Sequence, residues 1–256
     1  MRIRTAATAA GGTLALLTVL APAAEADSHK GDTTFTSVTF SKTTVNVGVS
    51  AAQSLTVVAT AKDGSGISGI YGGKLVSPDG RIAFPDSASC TRPSSTTMKC
   101  TWKYTLDAND TDDYADLKNS NAGTWHLDAE AAANDHDFYT LDTSESVKVK
   151  RYAKLTATQA SPEPVVKGRP LSVTGTLTRA NWNTNIYAGY SAQRVALQFK
   201  KSGTSTYSTV KTVTTDSTGK LKTTVTANSA GTWRWKFAGT STTSAVTATG
   251  DSAALK

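Results

Sequence analysis

A five-residue echo constrains this chain more than any other feature. Asn121-Ala122-Gly123-Thr124-Trp125 returns as Ser229-Ala230-Gly231-Thr232-Trp233, and 229 − 121 places the copies 108 residues apart. That spacing is about the length of one β-sandwich domain. In both copies the Trp opens an alternating apolar run: Trp125, Leu127, Ala129 and Ala131 in the first, Trp233, Trp235 and Phe237 in the second. Alternation of period two marks a strand with one face in a core and the other in solvent. Repetition at domain length predicts two related β-domains in tandem.

The rest of the sequence supplies the strands and turns this requires. Leu55-Val57-Ala59-Ala61, Trp102-Tyr104-Leu106 and Val147-Val149 alternate in the first half. Leu171-Val173-Gly175-Leu177, Val195-Leu197-Phe199 and Leu221-Thr223-Val225 do so in the second. Turn signals such as Asp63-Gly64, Pro78-Asp79-Gly80, Ser202-Gly203 and Thr218-Gly219 stand between them. Short strands at regular spacing describe sandwiches, and no long helical pattern follows the N-terminus. Residues 27–150 and 151–256 are the expected domains. The sequence leaves open whether they pack together or flex about residues 150–154.

Residues 1–26 read as a secretory signal: Arg2 and Arg4, an apolar core at 14–20, and the small-x-small site Ala24-Glu25-Ala26. The core is too short to span a bilayer, which takes about 20 residues. An uncleaved anchor is the alternative, and cleavage with export is the expectation. In an oxidising compartment Cys90 and Cys100, the only cysteines, are most simply a disulfide that staples a local hairpin or loop.

Charge divides the chain. Residues 27–150 hold 16 Asp and Glu against 11 Lys and Arg, 11 − 16 = −5; residues 151–256 hold 3 against 14, 14 − 3 = +11. Such asymmetry bears on partners rather than on fold. The basic half suits an anionic cell-wall polymer or carbohydrate, and the acidic half suits cations. Asp110, Asp112, Asp113 and Asp116, joined by Asp135 and Asp137, form the candidate calcium site, because Ca²⁺ takes six to eight oxygen ligands. The stretch is no EF-hand: counted from Asp110, position six is Ala115 and position twelve is Asn121. Solvated, turn-capping aspartates are the competing reading.

A second candidate lies between Arg179 and Arg194, where Trp182, Tyr187 and Tyr190 stand among Asn181, Asn183 and Asn185. Aromatic faces beside amides are what a sugar-binding surface needs. The same residues also suit a loop folded over a sandwich end with its rings inward. Nucleophilic and zinc catalysis find no motif: there is no G-x-S-x-G elbow and no H-E-x-x-H pair among the three histidines. A non-enzymatic protein is expected, with no nucleic-acid motif and no membrane insertion.

The second half also carries S-P-E-P-V-V-K-G, L-T-R-A-N-W, Y-A-G-Y, V-A-L-Q-F-K-K, T-V-K-T-V and W-R-W-K-F-A-G-T-S-T-T. Over nearly all of 151–256 it resembles a module of small secreted actinobacterial proteins. The first half resembles their companion domain through D-G-S-G-I, S-P-D-G, A-G-T-W and the cysteine pair. The resemblance implies secretion and an all-β fold of two tandem immunoglobulin-like sandwiches after a cleaved signal peptide. Some of those proteins carry a generic calcium-binding label, and the resemblance transfers no catalytic residue. The last segment, residues 250–256, lacks the β-branched or aromatic strand expected there, which leaves its packing open. Three roles follow as expectations: a binding or structural protein of the cell envelope or extracellular space, a calcium-binding protein, or an inhibitor of extracellular hydrolases.

Overall fold

The computed structural model describes residues 27–109 and 116–256; the predicted signal, Asp110, Asp112 and Asp113 lie outside the described residues. The chain is all-β, two tandem immunoglobulin-like sandwiches with one hydrophobic core each. In the first, the strand Gly123–Ala133 is central to a seven-stranded sheet. It pairs with Ile67–Val76 on one side, and with Ser146–Arg151 and then Phe138–Leu141 on the other. The facing sheet runs in the order Thr34–Phe40, Gln53–Lys62, Thr97–Leu106, Ser87–Ser94. Its inward phase is the alternation visible in sequence. Leu55, Val57, Ala59 and Ala61 are buried opposite Tyr104, Trp102, Cys100 and Met98.

Cys90 and Cys100 are disulfide-bonded across the directly opposed position of two neighbouring strands, with Cα atoms 4.1 Å apart. The bond is thus the local hairpin staple that the short spacing suggests. Closing so short a loop stabilises by roughly 2–3 kcal/mol on the chain-entropy model.

In the second sandwich the strand Pro170–Asn181 organises one sheet and Gly231–Phe237 the other. The two copies of the sequence echo open equivalent strands, each set against three others, and Trp125 and Trp233 are both buried. A second equivalence is in the pairing. Thr44–Val47 runs parallel to the closing strand of the first domain, and Val165 bridges in parallel to Leu255 near the end of the second. The C-terminal segment therefore packs through Ala253 and Leu255 without a β-branched or aromatic residue. Asp251–Ala253 pairs with the Trp233 strand, Ala253 is buried, and Val165 exchanges backbone hydrogen bonds with Ala254 and Lys256.

The first copy of the echo is fastened to a turn 42 residues earlier in the chain. Asn121 donates its side-chain amide to both carboxylate oxygens of Asp79, at 2.8 and 3.0 Å, and its backbone carbonyl accepts from the Trp125 indole at 2.7 Å. Burial opposes the charge on Asp79, but hydrogen bonds from Ser77, Ser120 and Asn121 outweigh it and bring its pKa down to about 2. A carboxylate depressed on folding contributes stability that is complete above its ordinary value and lost as pH falls through the folded value. The Asp79 contribution is accordingly lost between pH 3.8 and about 2. In an acid titration followed by Trp fluorescence, Asp79→Asn should lose less stability than the parent across that window.

Candidate functional site

Two places bring chemistry-bearing residues together. The first is at one end of the acidic sandwich, where three turns converge. Asp32 lies between the strands Ser28–Lys30 and Thr34–Phe40, Asp63 follows Gln53–Lys62, and Asp135 and Asp137 lie in the turn after Gly123–Ala133. One carboxylate oxygen from each falls within 4.8 Å of the others, so the cluster can hold a metal ion. Four carboxylates offer up to eight oxygens, the donor chemistry that hard Ca²⁺ prefers.

The four are not equivalent. Asp63 is almost fully buried; its oxygens accept from Thr33 Oγ1 at 2.6 Å and from the Ser65 amide and hydroxyl at 2.7 and 2.6 Å. Burial raises its pKa, but the hydroxyls of Ser65 and Thr33 more than offset this, and the net shift is downward. Asp63 is therefore ionised at neutral pH. Asp32 accepts from the Gly64 amide at 3.2 Å, and Asp137 lies 3.4 Å from the Lys30 ammonium. Gly31, at φ +74°, leaves the space that Asp137 fills; a Cβ there would fall 1.5 Å from Asp137 Oδ2.

Asp135 and Asp137, expected among the ligands, thus meet Asp32 and Asp63, while Asp110, Asp112 and Asp113 lie outside the described residues. Asp116 is not one of the four. Asp32 and Asp63 gave no sequence signal beyond that of turns, since Asp63-Gly64 has the composition of any tight turn.

The second place is the junction of the two sandwiches, and it absorbs the aromatic segment. The hairpin formed by Pro170–Asn181 and Ile186–Gly189 carries Trp182 at its tip, away from its own core. Trp182 is 1% exposed and belongs, with Ala180, to the hydrophobic cluster of the first domain. Its indole donates to the Val47 carbonyl at 3.2 Å and its backbone amide to Asn119 Oδ1 at 2.9 Å. Asn119 in turn donates to Asn181 Oδ1, and its backbone amide to Asn183 Oδ1, both at 2.8 Å. Asn185, at φ +52°, donates to the carbonyls of Trp182 at 3.2 Å and Ala108 at 2.7 Å once its amide is oriented to satisfy its neighbours. The asparagines beside the aromatics satisfy backbone across a domain boundary, so the stacking surface suggested by the sequence does not include Trp182.

The linker is fixed by backbone hydrogen bonds to both domains. Tyr152 donates its backbone N–H to Val47 O, and its carbonyl accepts from Ala180 N. Arg151 is buried and donates through Nε to Ala180 O at 2.6 Å. Its backbone exchanges hydrogen bonds with Thr242 and Ser244. Burial, with the neighbouring charge of Arg179 added, lowers the Arg151 pKa to about 10, so it is still a cation at neutral pH. Of the other expected loop residues, Tyr187 packs, partly buried, against the same cluster as Trp182. Arg179 stacks 3.8 Å over the Tyr190 ring, Tyr190 packs edge-on against Phe237, and Arg194 is exposed at the start of its strand.

No family model matches the chain, and no curated protein matches it. Among solved structures it is similar to the D00–D0 domains of intimin, at 13% identity and a TM-score of 0.28 over 84% of this chain and 98% of that one. The D0–D1 domains of intimin give 13% and 0.28 over 86% and 98%. The ligand-binding domain of human OSCAR gives 12% and 0.23 over 83% and 93%. The assignment of two immunoglobulin-like sandwiches rests on the sheets and cores described above.

Trp182→Ala should cost about 3–5 kcal/mol, the usual loss for a buried Trp. Because the cavity opens between the domains, calorimetry should show one transition for the parent and two for the variant, and small-angle scattering should show a wider range of interdomain angles for the variant. A single, merely lowered transition would mean that the ring serves one core only.

Proposed function

We propose that the chain is an exported, non-enzymatic binding or structural protein of the cell envelope, a stiff two-domain body that adheres to anionic wall polymers. The observation that carries this reading is the charge division, −5 over residues 27–150 against +11 over 151–256, borne by two sandwiches joined through a buried Trp. A disulfide and an all-β fold suit an extracellular setting, and among the described residues no helix is long and apolar enough to cross a membrane. Charge-driven adhesion is screened as ionic strength rises, with a Debye length of about 10 Å at 0.1 M and 3 Å at 1 M. Retention on cell-wall particles should therefore fall steadily as salt is raised over that range. Retention indifferent to salt would overturn the reading.

A second reading is favoured by the converging aspartates: the first domain binds calcium at Asp32, Asp63, Asp135 and Asp137. Unscreened, four carboxylates so close repel one another, and one Lys30 ammonium leaves most of that charge uncompensated. A ligand at 100 times its Kd stabilises by about 2.7 kcal/mol, a shift of several degrees for a domain of this size. Calcium should raise the melting temperature, chelator should reverse it, and Asp32→Asn/Asp137→Asn should abolish it. An unchanged melt, or a response lost only in Asp112→Asn/Asp113→Asn, would remove this site.

A further inference from the structure

The outer face of the junction carries a groove that neither reading has used. It has a volume of about 460 Å³ and is lined by Lys42, Thr44, Asn46 and Gln53 of the first domain, by Tyr187 of the second, and by Tyr152 of the linker. Sites for small ligands fall at domain boundaries and span roughly 300–1,000 Å³. This one is preformed, because both walls are fastened to one strand. Val47 accepts from Tyr152 N, and the Tyr187 hydroxyl approaches to 3.0 Å from where a Cβ on Gly48 would stand.

Register determines what surrounds the groove. Thr44–Val47 pairs in parallel with the closing strand of its domain, Thr44 beside Lys148 and Asn46 beside Lys150. Val45, Val47, Val147 and Val149 point into the core, so Thr44, Asn46, Lys148 and Lys150 share the outer face. The same phase continues through Tyr152 to Lys154, whose ammonium stands 3.6 Å over the Tyr187 ring. Lys148, Lys150, Tyr152 and Lys154 thus form one strip across the domain boundary, Lys150 donating to the Thr240 carbonyl at 2.6 Å, and Lys42 also lines the groove. None of the described lining residues is acidic. Tyr152 keeps 42% of its surface exposed although its backbone is fixed on both sides.

An exposed ring with a fixed backbone supplies a stacking face at little entropic cost. Asn46, Gln53 and Thr44 supply donors and acceptors for hydroxyl groups, and the lysines supply positive charge. We propose that the groove binds a segment of an anionic saccharide, one sugar ring against Tyr152 and its acid groups toward Lys42, Lys148 and Lys154. This rests on the reading of the chain as a binder of anionic envelope polymer, and it moves the specific seat from the broad basic surface of the second domain to the junction.

The test is calorimetric titration of the mature chain with a hexasaccharide of galacturonic acid, and with neutral cellohexaose as its uncharged counterpart. The charged hexasaccharide should bind at low salt and the neutral one at least tenfold more weakly. Tyr152→Ala should weaken binding of the charged sugar about tenfold, and Tyr152→Phe should restore it. Lys148→Gln/Lys154→Gln should weaken it as well. Lys220→Gln/Lys222→Gln, on the second domain away from the groove, should leave it unchanged, and a melt of each variant checks that it folds. Binding that survives Tyr152→Ala but is lost in Lys220→Gln/Lys222→Gln overturns the groove and leaves adhesion to anionic polymer standing. Equal binding of the two sugars overturns the charged class. No binding of the galacturonate by the parent, together with no retention on wall particles, overturns both.

Discussion

Trp182 leaves its own domain. A large indole at the tip of a hairpin in the second sandwich completes the core of the first, and the arrangement of the molecule depends on that exchange. Interfaces between domains of one chain are usually polar and permit relative motion. Here a fully buried ring, asparagine-mediated backbone capping and a linker that is itself strand on both sides of Tyr152 make the junction part of a core. Arg151 shows how complete the enclosure is. Its guanidinium carries a pKa depressed by burial and satisfies the carbonyl of Ala180, two residues before Trp182 in the hairpin.

The strands were legible because each sandwich buries one face per sheet. The alternations noted in sequence, from Leu55 to Phe237, correspond to buried phases, with Gly175, Phe199 and Val225 only partly buried, and the echo corresponds to equivalent central strands. What sequence could not supply was any contact made between turns. Asp32, Asp63 and Asp137 lie far apart in the chain, and each has the local composition of an ordinary tight turn; only folding brings them within 4.8 Å. The dense run from Asp110 to Asp116 is conspicuous in sequence because it is local, and locality is the one kind of proximity a sequence displays. Trp182 was harder still. A ring packed inward over its own sandwich end and a ring buried in the neighbouring domain leave the same pattern of aromatics and asparagines.

The geometry separates the two chemistries. Gln53 borders the groove at one end of its strand, and Asp63 joins the acidic cluster just beyond the other. Ten strand residues at about 3.3 Å each place the two sites ~33 Å apart. That exceeds the Debye length at 0.1 M salt, about 10 Å, several times over. A cation held at the aspartates and an anion held at the junction would therefore leave one another's affinity unchanged.

A flexible linker would let each domain find its partner independently and would gain only from effective concentration. A fixed junction does something different. Its groove exists only while both domains are seated, since Tyr152 belongs to the linker, Tyr187 to one sandwich and Asn46 to the other. Any ligand that spans those residues binds the docked arrangement and not the separated one, so its binding free energy adds to the stability of the joint. The coupling is reciprocal by linkage: whatever tightens the packing of Trp182 also preserves the groove. Core packing and surface recognition are thus joined at one strand, Thr44–Val47, whose inward valines hold the first core, whose Val47 carbonyl receives the Trp182 indole, and whose outward face lines the groove.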